Sequence, residues 1–364
     1  MNLSEAKEIV LTLDAGGTKF SFNAVRGGKE LIDPIRLPAE TKNLTKCLNV
    51  IVDGFQEVQD AIKIKADAIS FAFPGPADYQ AGIIGDLNNL TAFRGGVALG
   101  PMLKEKFGIP VFINNDADLF AYGEAIDGFL PQVNQALKDA GNPKQYKNLL
   151  GLTLGTGLGG GLINNRKIVF GDHGMGGEIW AFRNKITPTT NAEEGACIRA
   201  VKRYYKELTG VEGLEPIDIG DIALGKKEGD QSAAIRSFEQ LGEVVGDVAS
   251  QLCASLDCLV VIGGGISAAH ELFLPATLAE MKSTYENPNG TTRRRLVQEV
   301  YNFQDEKQQK EFLKDGSKQV AVPFSDKTVT YHSTAKIGVG TSVLGTSKAV
   351  SIGAYSFALQ QLRK

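Results

Sequence analysis

Apolar residues cluster at Ile9–Leu13, give way to Asp14-Ala-Gly-Gly-Thr18 and resume at Phe20–Val25. That order reads as strand, glycine turn, strand: a β-hairpin whose first strand ends on an aspartate. The pattern returns at Asn148–Leu154, Gly155-Thr-Gly-Leu-Gly-Gly-Gly161 and Leu162-Ile163. A third glycine cluster, Gly263-Gly-Gly265, follows the apolar run Cys258–Ile262, and here a helix-like segment begins near Ser267. Elsewhere the spacing alternates between periods. Leu44, Leu48, Ile51, Phe55, Val58 and Ile62 predict a helix over 44–62, and Ala66–Phe73 predicts a strand running into Pro74-Gly-Pro76. Val97–Phe107 reads as a helix, Pro110–Ile113 as a strand, Ala117–Ala125 as a helix and Phe238–Leu256 as a long amphipathic helix. Two hairpin glycine turns in corresponding positions predict a duplicated α/β architecture with a ligand cleft between two lobes.

Composition narrows the classes. The chain has 364 residues, more than one core usually serves, so two domains are expected. With 39 Lys and Arg against 42 Asp and Glu, the net charge is −3, which argues against a nucleic-acid surface. Glycine is in excess, at 42 residues or about 11.5% against the usual ~7%, as tight turns and close backbone approach to a ligand require. The N-terminus carries no cationic segment followed by an apolar run, and no stretch approaches the ~20 apolar residues of a membrane helix. Cys47, Cys197, Cys253 and Cys258 form no CxxC pair and read as reduced thiols of a cytoplasmic protein. Cys253 and Cys258 read as core residues. The most charged stretch, Lys282–Gln319 with Arg293-Arg-Arg295, reads as a solvated helix face or insertion, with an anion site as the alternative.

Gly155-Thr-Gly-Leu-Gly-Gly160 matches GxGxxG, and Glu178 lies downstream of it. A dinucleotide fold would start a helix at the third glycine, whereas Gly161-Leu-Ile continues as a strand. No GxxxxGK[ST] loop occurs at either hairpin, so a Walker-type site is excluded as well. Outward-pointing backbone N–H groups of a glycine turn can still hold phosphate oxygens. Thr18 adds a hydroxyl, Lys19 a charge, and Asp14 can hold a hydrated Mg²⁺. An ordinary hairpin is the alternative for one such turn; two turns plus a strand–GGG–helix unit make it a poor one.

Taken together, Leu13–Lys19, Phe73-Pro-Gly-Pro76, Leu87-Asn-Asn-Leu90, Asn115-Asp-Ala117, Leu154–Leu162, Gly177-Glu-Ile179, Val261–Ser267 and Ser351-Ile-Gly-Ala354 resemble the ROK family of sugar kinases, nearly end to end. The resemblance implies the two-lobed actin-like ATPase fold, RNase H-like, shared with hexokinase and the heat-shock chaperone ATPases. It implies a small lobe of 1–118 plus 348–364 and a large lobe of 119–347. Asp14, Gly16, Gly17, Thr18 and Lys19, with Gly155, Thr156 and Gly157, would then bind ATP phosphates. Gly263, Gly264 and Gly265 would lie against adenosine, and the last helix would return to the N-terminal lobe. Asp116 matches the family's general base, although Asn114-Asn-Asp also reads as a helix N-cap. Glu178 matches a sugar-binding glutamate, and Glu193 the second, with Glu194 one position away. Asn115 can donate to and accept from a sugar hydroxyl, and Gly75 and Asn89 resemble sugar-loop positions.

Two departures are plain. The family's GEIGH reads Gly177-Glu-Ile-Trp-Ala181 here, and its CxCGxxGC cluster is missing, so no zinc site is expected; His173 nearby is one ligand without thiolates. The expectation is an ATP- and Mg²⁺-dependent hexose kinase, glucose ahead of fructose or an N-acetylhexosamine, with room for a homodimer and no membrane partner. A sugar-responsive repressor is disfavoured because 13 residues before Asp14 are too few for a winged helix-turn-helix. A non-catalytic sugar sensor would need neither Asp14, Asp116 nor the two turns.

Overall fold

The computed structural model describes every residue except Met1, Asn2, Gly17, Asn88 and Asn89. The chain forms two compact units: 1–128 with 161–177 and 344–364, and 129–160 with 178–343. The expected lobes differ from these units mainly at 119–128 and at 161–177.

The first unit is built on strands β1 (Val10–Ala15), β2 (Lys19–Arg26), β3 (Lys29–Glu30), β4 (Ile35–Pro38), β5 (Ala68–Ala72) and β8 (Val111–Asn114), with β6 (Ala77–Asp78) and β7 (Ile83–Ile84) as a separate ribbon. The sheet runs β3-β2-β1-β5-β8, with β4 also on β2. β1 and β2 are antiparallel, whereas β1, β5 and β8 are parallel. The carboxyl ends of those three strands therefore share one edge. α1 (Leu44–Ile62) has the predicted bounds: the Asn43 side chain caps it by accepting from the Lys46 N–H, and Lys63 ends it with φ 55°. Its face of Cys47, Ile51, Phe55 and Val58 covers Phe20, Phe22 and Phe71 of the sheet. α2 (Leu99–Phe107) and α3 (Asp116–Ile126) follow, and β11 (Lys167–Ile168) pairs with the end of β10 (Leu158–Asn164). The last helix, α10 (Thr346–Leu362), buries Ile352, Tyr355, Ala358 and Leu359 with Val10, Val25 and Ala68 of the opposite sheet face. α3 and α10 meet almost backbone to backbone: a Cβ on Gly123 would lie 1.9 Å from the Ala349 carbonyl oxygen, and one on Gly353 2.0 Å from that of Leu119.

In the second unit, β9 (Leu149–Leu154), β12 (Leu259–Gly263), β18 (Lys336–Thr341) and β15 (Glu299–Asn302) are parallel neighbours, with β10 starting beside β9. Around them lie α4 (Phe129–Asp139), α5 (Ile198–Thr209), α6 (Pro216–Ala223), α7 (Gln231–Leu256) and α8 (His270–Met281). α7 starts seven residues before the predicted Phe238: Asp230 caps it, and the small buried residues Ala233, Ala234 and Ser237 extend its inner face. The helix after the third glycine cluster is a 3₁₀ turn at Gly265–Ala269 before α8 begins.

The charged stretch is largely exposed, as a solvated face or insertion would be, but it holds more strand than helix. It holds the hairpin β13 (Thr284–Glu286) and β14 (Thr292–Arg294), strand β15 of the main sheet, a short α9 (Glu306–Leu313), and β16 (Ser317–Ala321), which pairs with β17 (Thr328–His332). Arg295, of the arginine triplet, is 8% exposed and bonds the carboxylates of Glu280 and Asp247, so its charge is spent inside the protein. All four cysteines are buried free thiols, with Cys253 and Cys258 3.9 Å apart at sulfur. Among the described residues no helix is long and apolar enough to cross a membrane.

Candidate active site

Three loops of the first unit leave the shared carboxyl edge of β1, β5 and β8. After β1 the chain turns so tightly that a Cβ on Gly16 would stand 2.8 Å from the Lys19 carbonyl oxygen, which makes glycine obligatory there. Thr18 and Lys19 are exposed on the far side of the turn, and Gly17 lies outside the described residues. Asp14, opposite Ser21 in the hairpin, carries a carboxyl raised by desolvation. After β8, the Asn115 side chain caps α3, accepting from the Ala117 N–H at 2.8 Å. The cap is therefore Asn115, and Asp116 is the first helical residue. Its Oδ1 also accepts from the Ala117 N–H, at 2.9 Å. The Asp116 carboxyl is raised, first by desolvation and further by the charge of Asp14, against the lowering effect of that N–H. Asp116 is itself exposed to solvent.

After β5, the third loop is organised by a residue that the sequence reading missed. The Tyr79 hydroxyl donates to the Phe73 carbonyl at 3.0 Å and accepts from Asn115 Nδ2 at 3.5 Å. A Cβ on Gly75 would come within 2.9 Å of the same hydroxyl. Gly75 and Asn115 are thus brought to one phenol, while Asn89 lies outside the described residues. A cavity of about 720 Å³ extends from Asp14 past Ser21 and Arg36 to Lys348 and Ser351 of α10.

In the second unit the glycine turn between β9 and β10 closes on itself, the Gly155 N–H donating to the Gly157 carbonyl at 3.0 Å. A Cβ on Gly157 would meet Glu193 Oε2 at 2.4 Å. That oxygen accepts from the Leu158 N–H at 3.1 Å. Arg199 completes the arrangement, donating to the Thr156 carbonyl at 2.8 Å, to Glu193 at 3.0 Å and to Glu194 at 2.8 Å. Glu194 also accepts from Arg203, and its carboxyl is lowered chiefly by the Arg199 hydrogen bond. Of the two glutamates, Glu193 is the one at the turn. Arg199 follows Glu193 by six positions in the sequence, and nothing in that spacing linked it to Thr156.

Glu178 precedes a 3₁₀ turn, Ile179–Ala181, whose Ile179 fills the space a side chain on Gly160 would need. Its carboxylate accepts from the Trp180 indole N–H. At the third cluster, Gly264 has φ 87° and would place a Cβ 2.2 Å from the Leu154 carbonyl oxygen, so only glycine fits. Gly265 lines a largely apolar cavity of about 400 Å³ with Ile198, Ile217, Phe238 and Leu272. Among the described residues no three of His, Cys, Asp and Glu gather as a metal site; His173 is exposed and Cys197 buried.

Two mixed α/β units, each with a strand–glycine turn–strand hairpin, define an actin-like ATPase fold. The family profile described as ROK matches residues 10–302, and the chain belongs to the ROK family. A crystal structure of glucokinase from Parabacteroides distasonis is 48% identical, with 99% of each chain covered and a TM-score of 0.91. N-acetyl-D-glucosamine kinase of Vibrio cholerae is 29% identical over 70% of this chain and 83% of its own. Glucokinase of Thermotoga maritima is 25% identical over 72% of this chain and 84% of its own.

Proposed function

We propose that the protein is a sugar kinase that transfers the γ-phosphoryl group of ATP to a hydroxyl of a hexose, with glucose ahead of fructose or an N-acetylhexosamine. The observation that carries the reading is Asp116: an accessible carboxylate, raised by its surroundings, at the carboxyl edge of a parallel sheet beside Asp14 and a glycine turn. Such an edge is where α/β folds place ligands, and a raised carboxyl is a better proton acceptor than an ordinary one. In the step, the sugar oxygen bonds to the γ-phosphorus, the bond to the β-phosphate oxygen breaks, and the hydroxyl proton passes to Asp116.

The remaining residues position the reactants. Asn115, held by Tyr79, presents an amide to the sugar; Gly75, Asn89, Glu178 and Glu193 are further sugar contacts. Gly16, Gly17, Thr18, Lys19, Gly155, Thr156 and Gly157 take the phosphates. The apolar cavity at Gly265 suits adenosine, with Gly263 and Gly264 just before that residue in the chain. Asp14 would hold Mg²⁺ through water: an exposed hard oxygen donor close enough to Asp116 to raise its carboxyl marks a place where a divalent cation relieves repulsion. Bound there, the ion neutralises charge on the phosphates. The glucose preference is supported by the 48% identical glucokinase, and a cytoplasmic site of action by the buried free thiols.

ADP release measured with ATP, Mg²⁺ and a panel of glucose, fructose, mannose, N-acetylglucosamine and N-acetylmannosamine tests the reading. Glucose should give the largest kcat/KM. Release no faster with any of these sugars than with ATP alone overturns it.

A further inference from the structure

We propose that Trp180 is a positioning residue for sugar: its indole N–H aims the Glu178 carboxylate, and its exposed ring offers an apolar face to the pyranose. The inference rests on the reading of Glu178 as a sugar contact.

Trp180 is the single tryptophan of the chain, and it is 43% exposed. A side chain of that size ordinarily contributes by burying its rings, and when an indole is left at a surface with its N–H engaged it serves as an amphipathic contact. The local structure explains how it is held outward. Ile179, 1% exposed, is driven into the space beside Gly160, so its two neighbours cannot share that pocket. The turn around it is fixed by the Ala181 N–H donating to the Glu178 carbonyl at 3.2 Å and the Phe182 N–H to that of Ile179 at 3.1 Å. Glu178 and Trp180 therefore flank an anchored residue on a rigid turn, joined by the indole N–H.

The bond leaves the carboxylate half used. Oε2 accepts from Trp180, and Oε1 has no protein partner among the described residues. A carboxylate accepts at about four lone-pair sites, so the free oxygen can take a hydroxyl in a fixed direction. A pyranose presents hydroxyls at its edge and C–H groups on its faces. One carboxylate oxygen beside one exposed indole matches both, whereas a phosphate, anionic and without an apolar face, is repelled by the first and unmatched by the second.

Because the chain has one tryptophan, its emission reports this residue alone. Titrating D-glucose without ATP should change the wild-type emission saturably, with N-acetyl-D-glucosamine as a second arm. Trp180→Phe keeps a ring but loses the N–H, and should raise the sugar KM about 10-fold or more with the ATP KM within about twofold. Trp180→Ala should raise it further. A residue that only stabilised the fold would move neither constant selectively. Flat emission with every sugar, or a Trp180→Phe sugar KM within about twofold of wild type, overturns the inference. Should Trp180→Ala fail to fold, Trp180→Phe and the wild-type titration still decide. A sugar kinase with an unchanged Trp180→Phe KM would sink this inference and spare the function. Should no ADP be released with any sugar, the function reading falls, yet the titration still decides, since emission reads binding and not turnover.

Discussion

Asp116 carries a penalty that its own helix does not need. Asn115 already caps α3, and the Asp116 carboxyl is raised by desolvation and by Asp14, so its ionised form is disfavoured in the folded protein and not in the unfolded chain. A carboxyl raised on folding costs stability at pH values above it, and that cost vanishes when the group is protonated or replaced. Asp116→Asn should therefore raise the melting temperature at pH 7 while cutting turnover by about 10²–10⁴-fold. The same raised value sets the pH profile: wild-type turnover should fall on acidification at a higher pH than for an ordinary carboxylate. Calorimetry and ADP release on one preparation check both, and a destabilised variant with normal turnover would make Asp116 a structural residue. The sequence exposed Asp14, Asp116 and the glycines because strand ends and turns mark themselves with rare residue types. Tyr79 and Arg199 gave no such signal, and Trp180 showed only as a departure from the family's GEIGH. Arg199 reaches a carbonyl 43 positions back, and no periodicity encodes that distance.

Helix α1, which buries one stripe, was readable from its period, and α10, buried along most of its length, was not. α1 shows its period because one face meets the sheet and the other meets water. α10 buries Ala349, the run from Ile352 to Leu359 and little else of pattern, so only the short motif at Ser351–Ala354 hinted at its place. The strand β15 hid for the opposite reason: Val300 alone is buried among Glu299, Tyr301 and Asn302, and charge on both sides masked an edge strand. The contact of α3 with α10 sets where Asp116 stands, since Asp116 is the first residue of α3. Gly353→Ala would force a methyl to within 2.0 Å of the Leu119 carbonyl oxygen, and the helices would have to part. We expect a loss of about 1–3 kcal/mol, as for other overpacked interfaces, and a fall in kcat larger than the change in sugar KM. Gly316→Ala, where a Cβ meets open space, should leave both unchanged. A Gly353→Ala protein with wild-type melting temperature would show that the two helices tolerate separation.

At the scale of the molecule, the duplication was legible from the two hairpin turns, but the path of the chain was not. Residues 161–177 and 344–364 belong with the first 128 residues, and segment membership depends on which apolar faces meet, not on sequence order. Cutting the chain after Val343 should leave the second unit resistant to limited proteolysis and the first unit degraded, because every residue of the second unit is still present. Equal digestion of both would mean that the units fold as one body. The order in which a ribosome delivers these residues gives the C-terminal helix a further meaning. Val10, Val25 and Ala68 wait for Ile352, Tyr355 and Ala358, roughly 280 residues later, which at ordinary elongation speed is on the order of 15–60 s. Throughout that interval a hydrophobic sheet face stands uncovered on the nascent chain while the whole second unit is being made. The unit that begins first is completed last, so its demand for chaperone protection falls on its N-terminal strands and lasts until α10 has been made.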